Sequence, residues 1–343
     1  MFYIGDVLCD PPVILAPMAA ITNPPFRILC KEMGAGLVVS EMVSARALYE
    51  DPASHSWRLE VLKEEHPIAI QIFGGDSKYL VPAAQKAENK GADIVDLNMG
   101  CPMKKVVQNG YGAALLLDPE KVYTLIKEMV DAVNIPVTAK IRSGWKDANI
   151  YEVVHAIEEA GGAAIAIHGR TRSEMFEGRV DREIIADVKK QRHIPIIANG
   201  DIRDAQSAIS MIQETNCDAI MVARGAMGYP WIFRELAAAL NHQPIPPMPT
   251  LEERQKIVLR HLSLYYEKYG EFRTLMEFRK HLLWYFWKTP AEKVLRNSFV
   301  SFTSLFNVHK AIEKAVDACQ NAKKPFNYPR GLEKHPNRRQ QKR

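Results

Sequence analysis

Cys101 offers the most chemistry in this chain. It stands in Gly100-Cys101-Pro102, where Gly100 permits a sharp turn and Pro102 fixes the local backbone. A thiol on such a loop can be a nucleophile, a general acid or a metal ligand. Metal ligation is disfavoured, because no CxxC or CxxH spacing occurs anywhere. A covalent nucleophile lacks a paired base in the sequence. Proton donation is the remaining reactive role, since a thiol with a pKa of about 8.5 stays mostly protonated near neutral pH. Cys9, Cys30, Cys217 and Cys319 read as structural.

Other reactive types close short apolar runs. Lys140 can stabilise developing negative charge or bind an anionic ring, or else reach for solvent. His168 can donate to a phosphate or a substrate oxygen, or be satisfied by backbone. Gln71 and Asn98 carry donors and acceptors, which suits a heteroaromatic ring with N–H and C=O edges. Asn199-Gly200-Asp201 and Ala223-Arg224-Gly225 combine small residues with a cation, a pattern fit for phosphate; two tight turns needing glycine are the plainer alternative.

These residues need elements to position them. Eight β-branched apolar runs, Val13–Ala16, Leu37–Ser40, Ile68–Ile72, Ile94–Leu97, Pro136–Ile141, Ala163–His168, Pro195–Ala198 and Ala219–Ala223, alternate with helix-like stretches. The pattern predicts an α/β fold, a (β/α)8 TIM barrel with its site at the C-terminal strand ends, rather than a doubly wound open sheet. The run Gln243-Pro-Ile-Pro-Pro-Met-Pro249 reads as a stiff linker. Beyond it, Leu251–Tyr269, Arg273–Lys288, Ala291–Asn297 and Ser304–Cys319 read as helices. The expected organisation is a catalytic barrel over 1–242, a proline-rich linker over 243–250, a helical domain over 251–321 and a basic tail over 322–343.

Composition sets the outer limits. The 343 residues are 47% hydrophobic and 25% charged, an ordinary globular balance that excludes wholesale disorder. Five cysteines are too sparse for a disulfide scaffold. No apolar run approaches the roughly 18–20 residues of a membrane span. The opening MFYIGDVLCDPP shows neither a basic leader nor an apolar core, so the expectation is the reducing cytoplasm. The net charge of +5 is uneven: residues 1–244 carry 25 basic and 31 acidic groups, residues 245–321 carry 12 and 8, and residues 322–343 carry 8 and 1. A basic C-terminal third on an acidic body suggests a polyanionic partner. Neither GxGxxG nor GxxxxGK[ST] occurs, so neither a Rossmann site nor a P-loop is indicated.

Taken jointly, Leu15-Ala-Pro-Met-Ala-Ala-Ile-Thr22, Ser40-Glu-Met42, Asp96-Leu-Asn-Met-Gly-Cys-Pro102, Lys140-Ile-Arg142, Ile167-His-Gly-Arg-Thr-Arg172, Ala198-Asn-Gly-Asp201 and the run Met221 to Trp231 resemble the tRNA-dihydrouridine synthases. The wording after Met99 is most similar to the bacterial B-type branch. The resemblance covers about residues 4–320, including Arg279-Lys-His281 and Trp284-Tyr285. It implies an FMN-dependent barrel with a C-terminal helical domain, NADPH as reductant, and reduction of the C5–C6 bond of a uridine in the tRNA D-loop, near position 17. By position, Pro17, Met18 and Ala19 would line the flavin, and Gln71 and Lys140 would contact its ring and ribityl chain. Asn199, Gly200, Asp201, Ala223 and Arg224 would hold its phosphate. Asn98 and His168 would sit between flavin and substrate, with Cys101 as proton donor. Phosphate contacts to tRNA are expected from Arg279, Lys280 and His281, with Arg142, Arg170 and Arg172 nearer the mouth. No metal is expected, and a monomer is compatible with the sequence. Two rivals share part of this logic: an FMN barrel reductase of a small molecule, of the dihydroorotate-dehydrogenase type, and a catalytically silent RNA-binding flavin barrel.

Overall fold

The computed structural model describes residues 2–322. Its contacts divide the chain into two units at Ala223/Arg224, and the basic tail expected over 322–343 lies, from residue 323 on, outside the described residues.

In the first unit the apolar runs become eight strands: β1 Val13–Leu15, β2 Leu37–Val39, β3 Ile68–Phe73, β4 Ile94–Met99, β5 Val137–Arg142, β6 Ala164–His168, β7 Ile196–Asn199 and β8 Ala219–Val222. Every neighbouring pair is parallel. The sheet closes because β1 pairs with both β2 and β8, through Ile14 opposite Leu37 and Ile220 opposite Val13, while β2 pairs with β3. This is the expected (β/α)8 barrel. Strands buried on both faces require apolar side chains throughout, which is why the runs are nearly continuous rather than alternating.

Helices between the strands start at polar caps. Asn23, Asp76, Asp118 and Asp204 each accept a backbone N–H of the first turn and so fix where a mouth loop ends. At the other end a hairpin of Tyr3–Ile4 and Val7–Leu8, absent from the sequence reading, joins the barrel core. Phe2, Ile4 and Cys9 pack with Ile14, Leu37, Ile94, Ala164 and Ala219, filling the barrel interior with apolar side chains.

The second unit is helical: Ile232–Leu240, Leu251–Tyr285, Pro290–Ser298 and Leu305–Gln320. The long helix is two segments joined at Gly270, whose φ of +72° and ψ of 176° interrupt the helical path. A Cβ there would meet nothing within 4 Å, so the glycine answers to backbone conformation and not to space. The sequence pattern had separated helices around that residue. Tyr265, Phe278, Trp284 and Tyr285 form an aromatic core with His261 and His281.

Candidate active site

Alternate residues of β3, β4 and β5 turn into the barrel, and their character changes along the strand. Ala69 gives way to Gln71, and Ile94 to Asp96 and then Asn98, while Thr138 leads to Lys140. The registers set Gln71, Asp96 and Thr138 side by side, with Asn98 beside Lys140 one step higher. Arg142, His168, Asn199 and Met221 share the level above. A buried polar layer therefore lies over an apolar plug.

Buried polar groups must be paired, and these form a directed chain. Asp96 accepts from Thr138 Oγ1 through one oxygen and from Gln71 Nε2 through the other, both at 2.7 Å. Gln71 Oε1 accepts from Asn98 Nδ2 at 2.8 Å. Asn98 Oδ1 then accepts from the backbone N–H of Cys101 at 3.0 Å and of Gly100 at 3.3 Å. A carboxylate only accepts and a backbone N–H only donates, so the two ends fix the orientation of both amides between them. Beside the chain, Lys140 Nζ donates to Asn199 Oδ1 at 2.9 Å, and Asn199 Nδ2 donates to the Met221 carbonyl at 2.7 Å.

Burial dominates the electrostatics. It raises the Asp96 carboxyl above the usual carboxylate range, against the lowering effect of its two hydrogen bonds and of Lys140. The Lys140 ammonium is lowered to about 8, first by burial and then by Arg142, with Asp96 opposing. Below that pH Lys140 is charged.

The cysteine loop is held from three sides. Asn98 holds the Cys101 N–H, Ala113 N–H donates to the Cys101 carbonyl at 3.1 Å, and Arg142 Nε donates to the Gly100 carbonyl at 2.7 Å. Gly112, at φ +60°, packs so tightly that a Cβ would lie 2.8 Å from the Cys101 carbonyl oxygen and 2.9 Å from Val106. Cys101 itself is half-buried, unlike the four buried cysteines. Burial pushes its thiol up, while a Met103 backbone hydrogen bond and Arg142 pull it down. The raised thiol keeps its proton at neutral pH, as a proton donor must.

The remaining loops complete the mouth. The loop carrying Pro17, Met18 and Ala19 is tied by Met18 N–H to Thr22 Oγ1 at 3.0 Å and by Ala20 N–H to Glu41. After β7, Gly200 sits at φ +121° against Val180 and His168. Asp201, itself at φ +54°, accepts from Arg170 Nη2 at 2.7 Å and from Val180 N–H at 3.2 Å. Burial raises the Asp201 carboxyl, but the Arg170 hydrogen bond and charge outweigh it and hold it below its ordinary value. Ala223 and Arg224 follow β8 directly in the chain.

Three residues expected to contact RNA are enclosed in this structure. Arg142 is 2% exposed and its guanidinium is committed to the carbonyls of Gly100, Thr171 and Met175. Arg170 is also 2% exposed and holds the carbonyls of Glu177 and Gly178 besides Asp201. His281 is 1% exposed among aromatic rings, and burial, aided by His261 and Lys280, pushes its pKa far down. Charged side chains at strand ends look alike in sequence whether they meet solvent or pin loops. Arg172, Arg279 and Lys280 are half-buried; Arg172 lies 4.7 Å over the Trp145 ring, and Arg279 Nε donates to the Leu275 carbonyl.

Asp96 and Thr138 were not singled out from the sequence. The signal was available, because each stands two residues before a chosen one, Asn98 or Lys140, and so faces the same way. Among the described residues no group of three or more His, Cys, Asp or Glu side chains is arranged to hold a metal, and no helix is long and apolar enough to cross a membrane.

Comparison with solved structures supports the barrel fold. TcOYE in complex with pHBA superposes with a TM-score of 0.53 at 14% identity, covering 74% of this chain and 94% of that one. Histamine dehydrogenase from Rhizobium sp. 4-9 gives 0.55 at 10% identity, covering 77% and 50%. At these identities the likeness concerns the fold alone. Curated relatives are far nearer in sequence. The tRNA-dihydrouridine synthase B of Pseudomonas aeruginosa is 42% identical over 86% of this chain and 90% of its own length. That of Escherichia coli K12 is 39% identical over 88% and 94%. The family model described as Dihydrouridine synthase (Dus) matches residues 14–323. With a matched segment of that length and relatives of that identity, the chain is a member of the dihydrouridine synthase family of enzymes.

Proposed function

We propose that this protein is a cytoplasmic tRNA-dihydrouridine synthase, which reduces the C5–C6 bond of a uridine in the tRNA D-loop with FMN bound at the barrel mouth and NADPH as reductant. The observation that carries this reading is the link between thiol and polar layer: the half-buried, protonated Cys101 hangs by its N–H from the chain running through Asn98 and Gln71 to Asp96. The names of the relatives support the reaction and the substrate.

The donor set fits a flavin. Lys140 supplies a buried positive charge beside amides whose nitrogens each carry a second hydrogen for a ring carbonyl or nitrogen. Gln71 and Lys140, with the Pro17–Ala19 loop, would hold the ring, and Asn199, Gly200, Asp201, Ala223 and Arg224 the phosphate. FMN, when bound, supplies the hydride for C6. Lys140 and the amides hold negative charge where it develops, without reorganising, because burial has already fixed them. Asn98 and His168 orient the pyrimidine. Cys101 gives its proton to C5. The thiol's weak acidity keeps that proton in place until the carbanion forms.

A stacked uridine cannot reach a barrel mouth, so it is flipped out, at a cost of a few kcal/mol. We assign the compensating phosphate contacts to the helical segment 251–321, through Arg279 and Lys280, and to Arg172 on the barrel 1–242. The test is a dihydrouridine map of tRNA from cells with and without this gene. Loss of one D-loop dihydrouridine, at position 17, is expected; an unchanged map contradicts the proposal.

A further inference from the structure

The rim of the barrel carries a strip of aromatic rings and cations that the reaction chemistry leaves unused. It starts at the cysteine loop. Gly112 packs on Cys101, and its neighbour Tyr111 leans over Gly75, where a Cβ would lie 2.8 Å from the Tyr111 ring. Tyr111 meets Phe73 edge-on at 6.4 Å between centroids. The Arg46 guanidinium stands 6.0 Å from the Tyr79 ring centroid. Tyr79 and Tyr49 form a T-shaped pair at 5.3 Å, and Lys78 Nζ lies 5.5 Å and 5.9 Å from their centroids. Tyr49 is 45% exposed.

Two features of this strip point to a ligand. Arg46 spends its charge on Glu50 at 2.7 Å, but Lys78 forms no ion pair among the described residues and stands over two rings. An exposed ammonium held beside phenol faces is the pairing that binds a single-stranded polynucleotide: the ring stacks a base and the cation takes the adjoining phosphate. The strip also leads away from the one thiol that the proposed reaction uses.

We infer that Tyr49, Tyr79 and Lys78 receive the RNA strand flanking the flipped nucleotide, a base stacking on the tyrosine pair and its phosphate meeting Lys78. This rests on the proposed function, since it takes Cys101 as the point where the reacting base arrives. The surface then sets how the strand is threaded, and so which nucleotide reaches the thiol.

The test is filter binding of an unmodified tRNA transcript to the full-length protein over a range of salt. Tyr49→Ala/Tyr79→Ala should weaken binding about tenfold or more, whereas Tyr49→Phe/Tyr79→Phe, which keeps both rings, should stay within about twofold. Lys78→Ala should reduce the slope of log K against log salt by about one. Tyr123→Ala, on another exposed ring of the same unit, serves as the control and should bind as wild type. Alanine variants that bind within twofold of wild type, or phenylalanine variants that lose as much as alanine, overturn the inference. So does an unaltered affinity with a changed sedimentation coefficient, which would assign the strip to self-association. A wild-type protein that binds no tRNA at all removes the functional reading, and this surface with it.

Discussion

Both units bury titratable side chains, and they do so in opposite ways. In the barrel, burial disfavours the charged forms of Lys140 and Asp96, and Asn199, Gln71 and Thr138 stand within hydrogen-bond distance of them. In the helical unit, His261 and His281 lie 4.7 Å apart between Phe278, Tyr265 and Tyr285, and burial lowers His261 to about 3. There the rings are packing material, held neutral by their neighbours, with His261 Nδ1 and the Tyr285 hydroxyl paired at 3.1 Å. Burial of an ionisable group therefore does not mark a reactive site.

The sharpest way to probe this contrast is to remove the buried charge. Lys140 is lowered from 10.5 to about 8, so its charged form opposes folding below pH 8, and the penalty is relieved as pH rises from about 8 to 10.5. Lys140→Met should therefore raise the stability at pH 7 by up to about 3 kcal/mol, less about 1 kcal/mol for the lost Asn199 hydrogen bond, while dihydrouridine formation fails. The gain should shrink by pH 10.5. Denaturant unfolding at both pH values reads the difference.

Asp96→Leu attacks the partners instead. Gln71 Nε2 and Thr138 Oγ1 lose their acceptor inside the barrel, and a loss of about 2 kcal/mol is expected, with faster exchange of the Cys101 amide. A variant as stable as wild type would show that the chain is not what orders the layer. In the helical unit the effect should be smaller and confined to acid. Neutral histidines cost nothing above their unfolded pKa of about 6.5, and stability falls below it at about 1.4 kcal/mol per pH unit for each ring. His261→Phe should flatten that acid slope in thermal melts from pH 6.5 to 5, and an unchanged slope would place the histidines on the charged side of the comparison.

What could be read without coordinates follows from the same physics. Eight strands were legible because burial on both faces demands continuous apolar runs, and the break near Gly270 was legible because the helical pattern lapses there. Gln71, Asn98, Lys140 and Cys101 stood out as polar or reactive groups at the ends of such runs. The partner network did not. Asp96 looks like any strand carboxylate until the register sets it against Gln71 and Thr138. Only the fold shows that the guanidinium groups of Arg142 and Arg170 donate to backbone carbonyls. The N-terminal hairpin is not legible in the sequence because two-residue strands leave no periodicity.

In the proposed reaction Cys101 is the proton donor over a bound pyrimidine. Purified wild-type protein and Cys101→Ala, each loaded with FMN and supplied with NADPH and unmodified tRNA, can be compared by mass analysis of dihydrouridine. Wild type should form dihydrouridine, and the variant, still yellow and still binding tRNA, should form it about 10²–10⁴-fold more slowly. Turnover by the alanine variant at the wild-type rate would contradict the account at its centre.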